Sequence, residues 1–265
     1  MKNKHKLINY SIILLIILIP LTCILLFLSP AEIQQSLMLR TGELNPLTYL
    51  SSIFIHLNQI HLAGNLTSFL IISILLYIIN WKTKTEKKFL TLMILTIFIT
   101  PFTYNLLFNI ITSLTTHETI ISCGLSTAVA GLIGLTIPSL RLFLTTPIQS
   151  KSAQTYFTAS LILLTISIIT VSRLLETFYL SIFIITLAGS LLLLLKIREP
   201  IKILIKRDFY MKLRLLVTIL TLIIYYTLVL LLFPANIVTL EGNIVDIIAH
   251  LAGLFSGIAI GHYFL

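Results

Sequence analysis

Eight apolar runs, each close to the ~20 residues a helix needs to cross the hydrocarbon core of a bilayer, recur along this chain. They cover residues 8–28, 61–81, 89–110, 121–144, 155–171, 177–195, 213–233 and 244–264. Inside hydrocarbon the backbone N–H and C=O groups have no water to bond, so runs of this length must satisfy them internally as helices. The expectation is an all-α polytopic membrane protein, a bundle of about eight transmembrane helices. With 57% hydrophobic and 10% charged residues, little chain is left for a soluble domain. No internal repeat breaks it up, so residues 1–265 read as one membrane domain.

A net charge of +9 raises the question of nucleic acid, and the placement of the charges answers it. With the N-terminus in the cytoplasm and eight crossings, the inner segments hold sixteen Lys and Arg residues and the outer ones only Arg40 and Arg173. That asymmetry is the positive-inside pattern of a multi-pass protein with both termini cytoplasmic. A wrong number of crossings would scramble it. The basic balance therefore speaks for orientation in the cytoplasmic membrane, with lipid as the surrounding partner and no nucleic acid.

The basic start, Met1 to Lys6, followed by an apolar run resembles a signal peptide, but the run is too long and no A-x-A-like site follows, so it reads as an uncleaved span. The segment from 29 to 60 mixes Leu, Ile, Phe and Tyr with Ser and Thr, as suits the outer interface, and Pro46 should open a turn within it. The stretch 196–214 alternates basic and apolar residues and reads as a basic stop-transfer loop rather than a short helix on the inner leaflet. Cys23 and Cys123 lie in different spans, which speaks against a disulfide and offers no metal-ligand spacing.

Three polar constellations interrupt the apolar pattern: His56, His61 and Asn65 at the head of the second run, Gly124 and Ser126 in the fourth, and His250 with Gly253, Gly257 and Gly261 in the last. Ionisable side chains at membrane depth are costly and point to function. All three entries are from the outer side. At 1.5 Å per residue Ser126 and His250 should lie about 8 Å below their helix starts. His61 and Asn65, four apart, share a helix face. Ser126, Ala130 and Gly134 form one small-residue stripe and Gly253, Gly257 and Gly261 another, and such stripes let membrane helices pack backbone to backbone. Taken singly, the glycines read as packing devices and the His and Asn as interhelical hydrogen bonders. Together they supply a serine nucleophile, a histidine base and amide or imidazole donors for an oxyanion. Asp246, one turn before His250, suits a helix N-terminus. An aspartyl mechanism fails because Asp208 and Asp246 fall on opposite sides, and no HExxH or carboxylate-rich set suggests a metal.

The ordered set HxxxxHxxxN, GxS and HxxGxxxG resembles the rhomboid family of intramembrane serine proteases. The likeness extends into the approach Thr48-Tyr-Leu-Ser-Ser-Ile-Phe-Ile-His56 and covers the chain from about Ser29 to Leu265. It implies a rhomboid-like bundle with its core motifs in 45–145 and 244–265 and two additional helices within 155–233. It also implies Ser126 as nucleophile, His250 as general base and Asn65 and His61 as oxyanion donors. His56, Gly124, Gly253 and Gly257 would support the site. Neither cofactor nor metal is implied, and the partners would be single-span transmembrane protein substrates. Thr127 stands where the family usually has glycine, and Ala130 where it often has an aromatic residue. Those two departures leave open a proteolytically inactive relative that binds transmembrane helices as a scaffold or quality-control factor. A transporter is the remoter alternative, because its signature, charged or broken helices in repeated halves, is missing.

Overall fold

A computed structural model describes residues 2–43, 45–115, 120–148, 150–171, 177–207, 209–234 and 246–265. The protein is an all-α, multi-pass membrane protein; among the described residues eight helices are long and apolar enough to cross a bilayer. In chain order the elements are α1 (Lys2–Phe27), α2 (Ala31–Leu37), β1 (Leu39–Arg40), α3 (Pro46–Ser51), α4 (Gln59–Lys82), α5 (Glu86–Ile94) and α6 (Thr100–Thr115). They continue with β2 (Ile121–Ser122), α7 (Ser126–Thr145), α8 (Lys151–Val171), α9 (Thr177–Arg207), α10 (Phe209–Leu232) and α11 (Ile247–Phe264). Pro46 is the first residue of α3, capped by the Asn45 side chain.

Helices α5 and α6 make one crossing, Glu86–Thr115, joined by a π-helical stretch, Leu95–Ile99. Pro101 explains the distortion: it has no N–H to return to residue 97, and the ladder widens just ahead of it. The segment 196–214 differs from the loop expected of it. Helix α9 runs on through Lys196 and Pro200 to Arg207, and α10 begins at Phe209. Lys, Arg, Leu and Ile propagate a helix that already exists at almost no cost, and one proline does not stop it.

Helix α7 is the axis of the bundle and is buried almost throughout. The two small-residue stripes explain how closely α11 approaches it. A Cβ on Gly257 would lie 1.9 Å from the Gly131 carbonyl oxygen, and one on Gly134 would lie 2.1 Å from the Leu254 oxygen. Farther along, Gly261 meets Pro138. Residues 253, 257 and 261 thus meet 127–131, 131 and 135–138 in order, so the two helices run parallel. Helix α4 runs parallel as well, since Asn65 lies beside Gly124 and Asn80 bonds Ser139 (3.2 Å). All three therefore start at one end of the bundle. The opposite end is basic: Arg141 meets His262, and Arg214 donates to the Phe143 carbonyl (2.9 Å).

The hairpin of α8 and α9 lies at the periphery. Its two helices pack mainly on each other through a Ser167–Thr186 bond (2.6 Å), and α9 turns nearly all of its apolar surface outward. Helix α8 also contacts α7 and α10.

Replacing Gly257 with alanine should destabilise the bundle by about 3 kcal/mol or more, because a methyl group has nowhere to go between two backbones. Gly64→Ala, where nothing lies within 4 Å, should leave the thermal midpoint in detergent unchanged or slightly raised.

Candidate active site

The geometry around Ser126 is set before the helix begins. Ile121 and Ser122 are extended and pair antiparallel with Arg40 and Leu39. The next residues turn through Gly124, whose φ of +117° is open to glycine and strained for any other residue. Its N–H donates to the Ser52 carbonyl (2.9 Å). Ser126 is therefore the first residue of α7, shallower than the depth of about 8 Å that the apolar run suggested. Chain that is apolar enough for a membrane has been spent here on a strand and a turn.

Helices α4 and α11 are capped: Asn58 accepts from the His61 N–H (2.7 Å) and Asp246 from the Ala249 N–H (2.9 Å). Helix α7 has Leu125 at that position, which offers no acceptor. Its first-turn N–H groups, beside the Ser126 hydroxyl, are thus free of a side-chain cap, an arrangement that suits an anion.

The second constellation lies against this turn. A Cβ on Gly124 would sit 2.8 Å from His61 Cε1, 2.9 Å from His61 Nε2 and 3.7 Å from Asn65 Nδ2. Glycine is required there twice over, for its backbone conformation and for the space that the imidazole fills. Asn65 is 8% exposed, and its amide nitrogen is buried without a hydrogen-bond partner. An unspent donor costs about 1–3 kcal/mol, so it is a candidate for a ligand. His56 stands behind His61, ring edge against ring at 5.1 Å, with its Nδ1 3.3 Å from the Phe54 carbonyl and its Nε2 unpartnered.

His250 is in the first turn of α11 and 6% exposed. Its Nδ1 lies 2.7 Å from the Leu232 carbonyl oxygen at the end of α10. A carbonyl can only accept, so Nδ1 carries the proton and Nε2 keeps the lone pair. Phe233 packs edge-on against the ring at 6.0 Å. Asp246 has the structural role its position suggested, as the α11 N-cap, and its second oxygen accepts from the Tyr104 hydroxyl (2.5 Å). Ala130 lies against Gly253, where the seam between α7 and α11 leaves no room for a ring.

The structure thus brings Ser126, Gly124, His61, Asn65, His56, His250, Gly253 and Gly257 to the shared start of three parallel helices. Ser126, Thr127, Asp246 and Ala249 line one small cavity of about 30 Å³ with Ser52, Asn105 and Cys123. No hydrogen bond joins Ser126 to His250 among the described residues. In the topology read from the sequence, the connection from Pro234 to Asn243 would roof the site; beyond Pro234 it lies outside the described residues, as do Arg173, Asp208 and the outer-loop histidine His117. Among the described residues no group of three His, Cys, Asp or Glu side chains could hold a metal ion.

The chain matches no protein-family model, no curated protein and no solved structure.

Several contributors escape sequence reasoning. The Leu232 and Ser52 carbonyls are backbone groups and carry no sequence signal. Phe233 is one aromatic residue in an apolar run. Tyr104, Asn105 and Asn109 are polar residues in the third crossing, and that was a usable signal. Asn105 bonds the Tyr49 carbonyl (2.9 Å) and Ser52 Oγ (3.2 Å), and Asn109 bonds the Tyr49 hydroxyl (2.8 Å), fixing the segment that receives Gly124.

Gly124→Ala should cost about 3 kcal/mol or more in stability, from strain and displacement of His61 together, read as a lowered thermal midpoint in detergent. A pH effect follows from His56, which lies ahead of α4. Burial, and then the neighbouring His61, push its imidazole from 6.5 to about 4. The unfolded chain takes that proton near 6.5 and the folded chain only near 4. Stability from this group is therefore full above pH 6.5 and is lost as the pH falls towards 4. His56→Gln should flatten the thermal midpoint against pH in that window.

Proposed function

We propose that the chain is an intramembrane serine endopeptidase of rhomboid type that cleaves single-span membrane proteins near the outer interface. The observation that carries the reading is the convergence of three constellations, some sixty and some 125 residues apart, on one end of the bundle. Gly124 rests on His61 and Asn65, and the glycines after His250 seat α11 on the serine helix.

In this reading Ser126 Oγ attacks the scissile carbonyl and His250 Nε2 takes its proton. The developing oxyanion is met by the uncapped first-turn N–H groups of α7, by the unspent Asn65 amide and by His61. His250 then returns the proton to the leaving amine, and water resolves the acyl-enzyme. The sixteen-to-two distribution of Lys and Arg supports a topology in which α4, α7 and α11 start on the outer side of the cytoplasmic membrane and both termini are cytoplasmic. A substrate helix would have to unwind at that shallow depth to offer a carbonyl to the first residue of α7. In this reading Phe233 gives the His250 ring the aromatic neighbour that Ala130 does not.

One observation favours a second reading. Ser126 and His250 are not hydrogen-bonded to each other in this structure, as would suit a proteolytically inactive relative that binds transmembrane helices. Catalytic hydrogen bonds are often long before substrate arrives, which keeps the protease reading first.

A fluorophosphonate probe should label the detergent-purified protein, and Ser126→Ala and His250→Ala should each abolish the labelling. A folded wild type that never labels would leave the helix-binding reading. Asn65→Ala should slow turnover of a reconstituted transmembrane substrate about 10²–10³-fold with an unchanged thermal midpoint. Full-rate cleavage by that variant would remove Asn65 from the oxyanion site.

A further inference from the structure

Histidine bases in serine hydrolases are held in one tautomer by a third group, commonly a carboxylate, and among the described residues no carboxylate bonds His250 Nδ1. Asp246 spends one oxygen on the Ala249 N–H and the other on Tyr104, while His250 Nδ1 bonds the Leu232 carbonyl. Leu232 is the last residue of α10, and the last four carbonyls of a helix have no partner within it. The end of a helix also carries the negative pole of its dipole, which favours a cation beside it. We infer that the C-terminal end of α10 is the third member of the proposed catalytic set, with the Leu232 carbonyl fixing the His250 tautomer and the α8–α9 hairpin bracing α10 in the position this requires. The inference rests on the protease reading.

The brace is a particular hydrogen bond. Thr218, Thr221, Tyr225, Val229 and Leu232 recur at helical spacing along the buried face of α10. Tyr225 is fully buried, and its hydroxyl lies 2.9 Å from Thr165 Oγ1 of α8. Thr165 gives its own hydroxyl hydrogen to the Leu161 carbonyl (2.7 Å), so Tyr225 is the donor of the pair. Tyr225 and Leu232 are seven residues apart, two turns on one face and about 10 Å along the axis. At the opposite end Arg214 ties α10 to the Phe143 carbonyl of α7. Helix α10 is thus pinned at the basic end by α7 and near the site by α8. Tyr225 and Thr165 are positioning residues, acting on the reaction only through His250. The α8–α9 hairpin, at the periphery of the bundle, thereby acquires a task.

The test is nitrogen NMR of the ¹⁵N-histidine-labelled full chain in detergent at alkaline pH, with the His250 signals identified by their loss in His250→Gln. The expected spectrum has a protonated Nδ1 and an unprotonated Nε2. An Nε2–H tautomer would overturn the inference. Tyr225→Phe should bring the second tautomer into view and slow fluorophosphonate labelling about tenfold, well short of the ~10⁴ that a fixed wrong tautomer costs a serine protease. Thr165→Val removes the same bond from the other helix and should match it, and the double variant should be no slower than either single one. If Tyr225→Phe does not fold, Thr165→Val supplies the result. Variants that lose thermal stability while keeping the wild-type tautomer and labelling rate would reduce the bond to a structural one and sink the brace. A wild type with the expected tautomer that never labels would overturn the protease reading instead, leaving the hydrogen bond in place.

Discussion

Everything at the site end hangs on the contact between α7 and α11. Their backbones approach so closely that a single methyl on Gly257 or Gly134 would sit inside van der Waals range of a carbonyl on the other helix. In lipid no hydrophobic force draws two apolar helices together, because the tails are as apolar as leucine. What remains is dispersion between well-fitted surfaces, and small residues allow the most of it. The seam has a geometric consequence too. Two parallel helices locked at 253–131 and 261–138 have no freedom to slide, so Ser126 and His250 keep a fixed relation at their starts. A longer side chain anywhere along the stripe would separate them, even if both helices still formed.

The polar residues obey a different rule. Along the third crossing Tyr104, Asn105 and Asn109 each send hydrogen bonds out of the helix, to Asp246, to the Tyr49 carbonyl and Ser52, and to the Tyr49 hydroxyl and Glu43 carbonyl. Each bond satisfies a backbone or side-chain group that would otherwise be stranded at the edge of hydrocarbon. Together they tie residues 39–43 and 45–54 to the third crossing. The Ser52 carbonyl that receives Gly124 is then a fixed point, and the turn ahead of Ser126 is held from outside rather than by its own residues.

The eight crossings were legible because bilayer thickness imposes a length on apolar runs that no soluble fold imposes. The small-residue stripes were legible because helical periodicity puts Ala130 with Gly134, and Gly253 with Gly257, on one face. The start of α7 was not. Ile121, Ser122, Cys123 and Gly124 are apolar enough to extend the run, and only pairing with Leu39 and Arg40 makes them a strand and turn. The loop expected at 196–214 failed for the opposite reason: charge was read as an end to structure, whereas Lys and Arg extend a helix readily. The acceptor of His250 could not be read at all. A backbone carbonyl carries no signature, and which residue supplies it depends on where α10 stops and how it leans.

The polarity of the helices ties these observations together. Helices α4, α7 and α11 all begin at the site, so three positive dipole ends and the uncapped amides of α7 converge where an oxyanion would form in the proposed reaction. That field suits the anion and opposes the imidazolium that His250 would become in the same step. A site built only from helix starts would stabilise one charge of the pair at the expense of the other. Helix α10 runs the other way and brings its negative end to Nδ1. In the proposed reaction helix direction would serve the opposed requirements of nucleophile and base together, with no carboxylate among the described residues bonded to His250 Nδ1 and none there whose desolvation the bundle would have to offset. On that view the antiparallel setting of α10 is as much a part of the site as the serine, and a change that merely tilted it would be felt at Nε2.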